Sequence, residues 1–180
     1  MLVAEKNRLR RTESKVVKAT QRSHIRFLDR QLEKTETALS DLIKASPAWQ
    51  EDLNLLTSVP GIGQLTAANL TVMLPEIGSI GRRQIAKLVG VAPLSRDSGL
   101  SRGSRSIWGG RAHVRKVLYM STLVATRYNP VISALYTRLI DRGKPKKVAI
   151  VACMRKLLII CNAIVRDRSS WTPELAATRS

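Results

Sequence analysis

Acidic residues are scarce in this chain. Its 180 residues include 13 Asp and Glu against 31 Lys and Arg, which gives a formal net charge of +18 at pH 7. An excess of this size favours a polyanionic partner. Because the basic residues are spread over the whole chain, we expect that partner to be nucleic acid rather than a membrane surface.

Aromatic residues and long apolar runs are also rare. Aromatics make up 4% of the chain, with Phe27 the single phenylalanine, so the core must be aliphatic. The most apolar run, residues 148–165, is interrupted by Arg155 and Lys156, and no run reaches the roughly 18 residues of a membrane span. No secretory signal is visible at Met1. We therefore expect a cytoplasmic protein with no membrane partner.

Metal-binding side chains are few. Cys153 and Cys161 are too far apart for a CxxC pair and have no histidine nearby, so a zinc site is not expected. Two unpaired cysteines in an apolar helix fit a reducing compartment. Between residues 77 and 166 only Asp97 and Asp141 are acidic, whereas a two-metal nuclease site needs three or four carboxylates. We expect no metal site and no cofactor in this chain.

Arginine, serine and glycine dominate the stretch from residue 94 to 108, which follows a predicted helix end at Gly90. We expect a basic loop there, with room for a short β-hairpin. Its side-chain donors and open backbone suit phosphate oxygens, although a solvated basic loop is the alternative. The basic residues predicted to bind nucleic acid in and after this loop are Arg96, Arg102, Arg105, Arg111, Arg115 and Lys116.

A serine hydroxyl is the nucleophile that this loop offers. Ser98 is followed by Gly99 and flanked by Arg96 and Arg102, whose guanidinium groups would favour an alkoxide and hold a phosphate for attack. Ser98 is the best candidate, but the sequence does not separate it cleanly from its neighbours. Four other serines are equally close to arginines: Ser95, Ser101, Ser104 and Ser106.

A second candidate site is the turn Pro60-Gly61-Ile62-Gly63, between a short helix and a helix over residues 64–74. This is the pattern of a helix-hairpin-helix. The glycines allow a tight turn and leave amide N–H groups at the start of the second helix facing outward, where a phosphate can bind without sequence preference. We therefore predict backbone phosphate contacts at Gly61 and Gly63. An αα-corner that only packs is the alternative.

The first 45 residues contain no Gly or Pro and predict one long helix. Its second half carries apolar residues at spacings of three and four, as in a coiled-coil seam. An amphipathic helix packed on its own domain fits this spacing equally well. A coiled coil would pair with a second copy or with a full-length relative. The seam residues are Ile25, Leu28, Leu32, Thr35, Leu39 and Leu42.

The fold class that these patterns predict is mostly α. We expect a long coiled-coil linker helix at residues 1–46, a compact helical domain with the helix-hairpin-helix at 47–168, and a flexible tail at 169–180. The most apolar helix should lie at the centre of the core. Helices are predicted at residues 49–59, 64–74, 82–89, 111–129, 131–142 and 146–166. The residues expected to face inward from the helix at 111–129 are Val114, Val117, Leu118, Ser121, Leu123 and Val124.

Several separated motifs, in this order, resemble the C-terminal half of the IS110/IS1111 (IS116/IS902) transposase family. The similarity covers residues 48–166, the coiled-coil helix is similar to the family's linker, and residues 1–10 are similar to the end of its first domain. The motifs are SVPGIG from Ser58, GVAP from Gly90, DSG from Asp97, IWGGR from Ile107, VRKVLYM from Val114, Asn129-Pro130 and GKPKK from Gly143.

This resemblance implies a site-specific DNA recombinase that moves an insertion sequence through circular intermediates and is guided by a structured RNA. It implies an N-terminal RuvC-like domain with four acidic residues that hold Mg²⁺, and a C-terminal serine that forms a phosphoserine link to DNA. The family's serine before glycine falls on Ser98. The RuvC-like domain is missing here, so Mg²⁺ is expected outside this chain. Trp108-Gly109-Gly110 stands where many relatives have Ser/Thr-Lys-x-Gly.

Two other functions remain open at this point. The chain could be a non-catalytic nucleic-acid-binding module or regulator that acts through phosphate contacts and the coiled coil. It could also be the product of a truncated gene that folds poorly without its partner.

Overall fold

Helices account for nearly all regular structure in the computed structural model, which describes residues 1–93 and 106–173, without the side chains of Ile43 and Lys44. The predicted mostly α fold is confirmed. The contacts divide the chain into two units, Met1–Pro47 and the residues from Ala48 onward, which we describe separately. The helices in the described ranges are α1 (Leu2–Arg11), α2 (Lys15–Lys44), α3 (Pro47–Thr57), α4 (Gln64–Met73), α5 (Arg82–Val89), α6 (Ala112–Tyr128), α7 (Pro130–Asp141) and α8 (Lys146–Asp167).

The first unit contains two helices rather than one long helix. The backbone is extended at Thr12, where α1 ends. The residue just before α2 is Ser14, a type preferred at helix starts because its side chain can cap free amides. The two helices contact each other, and Lys6 Nζ lies 3.1 Å from Asp29 Oδ1. The prediction of one unbroken helix over residues 1–45 is therefore wrong at the break between α1 and α2.

The predicted coiled-coil seam on α2 is only partly covered. Ile25 is buried, whereas Leu32 is 48% exposed and Leu42 is 63% exposed. Large apolar side chains in water favour association with another apolar surface. Pairing through this seam stays a prediction.

Helix α8 lies at the centre of the second unit, as predicted from its apolar sequence. Twelve of its 22 residues are buried, and it packs against α5, α6 and α7. By length and composition it is the one helix among the described residues that could cross a membrane. However, 67% of the most apolar 18-residue stretch of α8 is buried, as expected of a helix that fills a protein core.

Helix α6 shows where the predicted core residues differ from the observed ones. Val114, Leu118 and Ser121 are buried as predicted, but Val124 is 46% exposed. Ala125 takes the inward position instead, because the buried side of α6 follows steps of three and four residues along one face. The inward assignment of Val124 is therefore wrong by one residue.

The start of the predicted tail contacts the second unit. The backbone amide of Trp171 donates to Ser58 Oγ at 2.9 Å, and the Trp171 side chain packs against the core. Residues 174–180 lie outside the described residues.

Candidate nucleic-acid interface

The glycine turn, residues 58–63, joins α3 to α4. Gly61 has a φ of +101°, and a Cβ on this residue would lie 2.6 Å from the Cβ of Ala125 in α6. Only glycine allows both this backbone conformation and this close approach. Gly61 therefore has a packing function in the turn, and the predicted phosphate contact at Gly61 stays a prediction.

Gly63 is the N-cap of α4 and faces open space. A Cβ here would meet no atom within 4 Å, and Gly63, Gln64 and Leu65 are all exposed. Glycine has no side chain to accept from the first-turn amides, and α4 has no side-chain cap. Amides at a helix start carry partial positive charge, so this part of the turn suits an anion. The geometry fits a phosphate at Gly63, and the contact stays a prediction.

Asn129 holds the glycine turn in place. Its side-chain Nδ2 donates to the carbonyl of Pro60 at 3.3 Å. Its Oδ1 accepts from the amides of Val131 at 3.1 Å and Ile132 at 3.2 Å, which caps the start of α7. One buried side chain thus fixes the glycine turn to the corner between α6 and α7.

The basic loop starts and returns at one place on the second unit. Gly90 ends α5 in the left-handed conformation, as predicted for a C-cap. A Cβ on Gly110, just before α6, would lie 2.5 Å from the Gly90 nitrogen, and the Arg111 amide donates to the carbonyl of Leu88 at 3.0 Å. The two flanks therefore meet backbone to backbone. Residues 94–105 lie outside the described residues.

Arg115 bridges the same two flanks. Its Nη1 donates to the carbonyl of Val89 at 3.0 Å and to the carbonyl of Gly109 at 2.6 Å. Both acceptors are backbone oxygens next to turns. One guanidinium can bond to both because it carries several donors in a fixed geometry. The described contacts of Arg115 are therefore structural, and its predicted contact with nucleic acid stays a prediction.

Arg111 forms a two-pronged ion pair with Glu76, in the segment after α4. Its Nη1 and Nη2 lie 2.6 and 2.5 Å from the two Glu76 carboxylate oxygens, and Nη1 also donates to the carbonyl of Met73 at 2.9 Å. The hydrogen bond from Arg111 lowers the pKa of Glu76 and raises the pKa of the Arg111 guanidinium. This arginine thus ties the start of α6 to the end of α4.

The predicted site residues of the basic loop and of α6 fall into three groups. Arg111 and Arg115 have intramolecular partners, whereas Lys116 is exposed on α6. The remaining predicted residues lie outside the described residues, so their functions stay predictions. They are Ser98, Arg96, Arg102 and Arg105.

Two asparagines that are not among the predicted site residues hold turns of the second unit in place. Asn129 is followed by Pro130, and Asn followed by Pro is the sequence signal for an N-cap and first helical residue. Asn162, buried in α8, accepts from the Gly78 amide at 2.8 Å and donates to the Ile80 carbonyl at 2.9 Å. Its position in the most apolar helix is the sequence feature that indicates this contact, because a buried side-chain amide needs hydrogen-bond partners.

Within residues 1–93 and 106–173, no three His, Cys, Asp or Glu side chains are grouped as metal ligands would be. These residues do not fit a Mg²⁺ site.

Comparison with known proteins gives consistent matches. A family model described as Transposase IS116/IS110/IS902 family matches residues 53–137, which include the glycine turn and both flanks of the basic loop. The pilin gene-inverting protein of Moraxella lacunata is 31% identical over 156 residues, covering 84% of this chain and 48% of the relative. The insertion element IS110 uncharacterized 43.6 kDa protein of Streptomyces coelicolor is 27% identical over 144 residues, covering 79% of this chain and 35% of the relative.

A third relative is the insertion element IS900 uncharacterized 42 kDa protein of Mycobacterium paratuberculosis. It is 30% identical over 126 residues, covering 66% of this chain and 31% of the relative. These matches support the class of insertion-sequence transposases and recombinases. The chain belongs to the IS116/IS110/IS902 transposase family, which confirms the resemblance found in the sequence. It spans about half the length of the first curated relatives it matches, at 48%.

Proposed function

We propose that this chain is the DNA-binding C-terminal part of an insertion-sequence recombinase that uses Ser98 as its nucleophile. In this proposal Ser98 acts together with a RuvC-like domain that would hold Mg²⁺. The observation that carries the proposal is the contact between Gly90 and Gly110. A loop whose two ends are fixed on packed helices can hold a reactive hydroxyl in a defined position.

The chemical step is a transesterification. The Ser98 hydroxyl attacks a DNA phosphorus, and a new bond forms between Oγ and phosphorus. The bond between phosphorus and one sugar oxygen breaks, and the proton from the serine ends on the released sugar hydroxyl. Guanidinium groups at Arg96, Arg102 and Arg105 would stabilise the charge that develops on the phosphate oxygens.

DNA binding in this proposal uses the first-turn amides after Gly63, supported by the high positive charge of the chain and by the exposed Lys116. Gly63→Ser tests the amide contact. A serine at the N-cap would accept from a first-turn amide and so compete with a phosphate for that donor. We expect the variant to be more stable than the parent by about 0.5 kcal/mol and to bind DNA more weakly.

The control for this test is Gly63→Ala, which adds a Cβ into open space and removes no amide donor. Binding is measured by fluorescence anisotropy with a labelled duplex over a range of salt concentrations. If Gly63→Ser binds as tightly as Gly63→Ala, the amide contact is wrong. If the parent chain binds no DNA at all, the DNA-binding proposal itself fails.

The nucleophile is tested by reconstitution with the RuvC-like domain of a relative. Ser98→Ala should abolish the covalent DNA–protein adduct and leave DNA binding intact, whereas the neighbouring Ser101→Ala should keep the adduct. An adduct that persists in Ser98→Ala would overturn the assignment. DNA binding without any adduct from the parent chain would favour the non-catalytic binding module.

The proposal includes a structured guide RNA and self-association through the exposed seam around Leu32 and Leu42. Leu32→Lys and Leu42→Lys would place charge on that seam, and each should lower the mass of the assembly in analytical ultracentrifugation. A parent chain that sediments as a monomer at high concentration would contradict self-association.

A further inference from the structure

The turn between α7 and α8 is strongly cationic. Every residue from 141 to 148 is exposed, and Asp141 is the only acidic residue between positions 138 and 148. The exposed cations of this turn, which we call the cationic turn, are Arg138, Arg142, Lys144, Lys146 and Lys147.

Helix electrostatics explain only part of this cluster. Arg138 is in the last turn of α7, where a positive charge interacts favourably with the helix dipole. Lys146 and Lys147 are the first two residues of α8, where the dipole is positive and cations are unfavourable. The first turn of α8 has no acid, and its N-cap residue, Pro145, supplies no side-chain acceptor. These lysines do not stabilise the helix that carries them, so an external anion is their best partner.

An exposed face of α7 connects the cationic turn to the glycine turn. Ala134 and the hydroxyl of Thr137 lie along it with the half-buried Ser133, and it leads from Pro130 to Arg138, Asp141 and Arg142. At its start lies Asn129, which donates to the Pro60 carbonyl in the glycine turn. The 12 residues of α7 span about 18 Å.

We propose that the cationic turn is a second contact with the phosphate backbone, and that a DNA duplex lies along α7 between the two turns. This inference rests on the DNA-binding part of the proposed function. At about 3.4 Å per base pair, the length of α7 corresponds to about five base pairs. Hydroxyls and small side chains on the face between the turns allow the backbone to approach closely.

A membrane surface fits the cationic turn less well. Binding at a lipid interface combines basic residues with an inserted apolar face that often carries Trp, Phe or Leu. Among residues 141–148, Val148 is the only large hydrophobic side chain that is exposed. The turn therefore offers charge with little surface for insertion into lipid.

The test is the triple variant Lys144→Gln, Lys146→Gln, Lys147→Gln. Its control removes three exposed cations from α2, as Arg22→Gln, Arg26→Gln, Lys34→Gln, with the same change in net charge. Glutamine has a helix propensity close to those of lysine and arginine. Binding to a duplex of about 20 base pairs, several times longer than α7, is measured by anisotropy at a series of salt concentrations.

We expect the slope of log K against log salt to become shallower by about one for each lysine removed from the cationic turn, with an equal loss of affinity on unrelated duplex sequences. The α2 control should change the slope by less than one. The melting temperature of the turn variant should not fall, because its lysines oppose the dipole of α8.

Each alternative result is distinct. If the parent binds DNA and the turn variant keeps the parent slope, or matches the α2 control, the second contact is wrong and the proposed function stands. If the parent binds no DNA, the proposed function fails and this inference fails with it. If the turn variant loses binding to anionic vesicles of phosphatidylserine but keeps its DNA slope, the cationic turn is a membrane contact instead.

Discussion

Gly110 contacts Gly90 so closely that a Cβ on Gly110 would lie 2.5 Å from the Gly90 backbone nitrogen. The contact joins residues that are far apart in sequence and lie on opposite sides of the basic loop. Arg115 reinforces it by donating to carbonyls on both flanks, at Val89 and Gly109. Neither glycine can be replaced without moving the backbone at the base of the loop.

Gly110→Ala should therefore destabilise the second unit more than Gly109→Ala. The two glycines have similar positive φ values, +63° and +68°, so both alanines meet the same backbone strain of about 1–2 kcal/mol. Only the Gly110 side chain would meet backbone atoms, whereas a Cβ on Gly109 meets nothing within 4 Å. We expect an additional loss of about 1–3 kcal/mol for Gly110→Ala. Urea denaturation measures both, and equal losses would contradict the close contact.

The sequence predicted the parts of the fold that depend on local signals. The Gly90 C-cap, the limits of α5 and the apolar α8 follow from residue type and spacing within one helix. The break between α1 and α2 was missed because Thr12 and Ser14 are compatible with a helix interior. Packing of α1 on α2 makes the break favourable, and that contact joins residues distant in sequence.

The interface was less predictable than the fold. An excess of arginine indicates anionic partners, but not whether a given guanidinium binds a phosphate, a carboxylate or a carbonyl. Arg111 binds Glu76 and Arg115 binds backbone carbonyls, and both partnerships depend on how α4, α5 and α6 pack. The packing function of Gly61 was equally hard to predict, since its contact with Ala125 exists only in the folded unit.

The ion pair between Arg111 and Glu76 should make stability depend on pH. Hydrogen bonding to Arg111 holds the pKa of Glu76 below its ordinary value of 4.5. A carboxyl whose folded-state pKa is depressed adds stability above its unfolded pKa, and that stability is lost as pH falls through the folded pKa. The parent should therefore lose melting temperature more steeply below about pH 4.5 than Glu76→Gln.

The control for this prediction is Glu36→Gln, at an exposed position of α2. It should have the same melting curve as the parent at each pH. Glu76→Gln should melt lower than the parent near neutral pH, and the two should converge in acid. Parallel curves for the parent and Glu76→Gln across this range would show that the pair does not stabilise the fold.

Replacing Asn162 by leucine should destabilise the second unit strongly. The Asn162 side chain pairs with the Gly78 amide and the Ile80 carbonyl, and leucine can pair with neither. Leaving a buried polar group without a partner costs about 1–3 kcal/mol, so we expect a loss of about 2–4 kcal/mol in urea denaturation. Asn69→Leu is the control, because the described hydrogen bond of Asn69 goes to the Leu65 carbonyl within its own helix. Similar losses in the two variants would contradict the bridging function of Asn162.

Both cysteines should be unreactive in the folded protein. Burial raises the pKa of Cys153 to about 11 and that of Cys161 to about 12. Because the thiolate is the reactive form, a thiol with a raised pKa reacts slowly even where a reagent can reach it. At about pH 8, a disulfide reagent should label neither cysteine in the native state and both after denaturation.

Burial of the two cysteines should also make the fold less stable at high pH. A group whose folded-state pKa is raised stabilises the fold fully below its unfolded pKa, here near 9.0, and that stability is lost as pH rises towards the folded value. The melting temperature should therefore fall above about pH 9, less steeply when both cysteines are replaced by alanine. Rapid labelling of Cys161 in the native state would mean that α8 opens at its centre, which contradicts its position in the core.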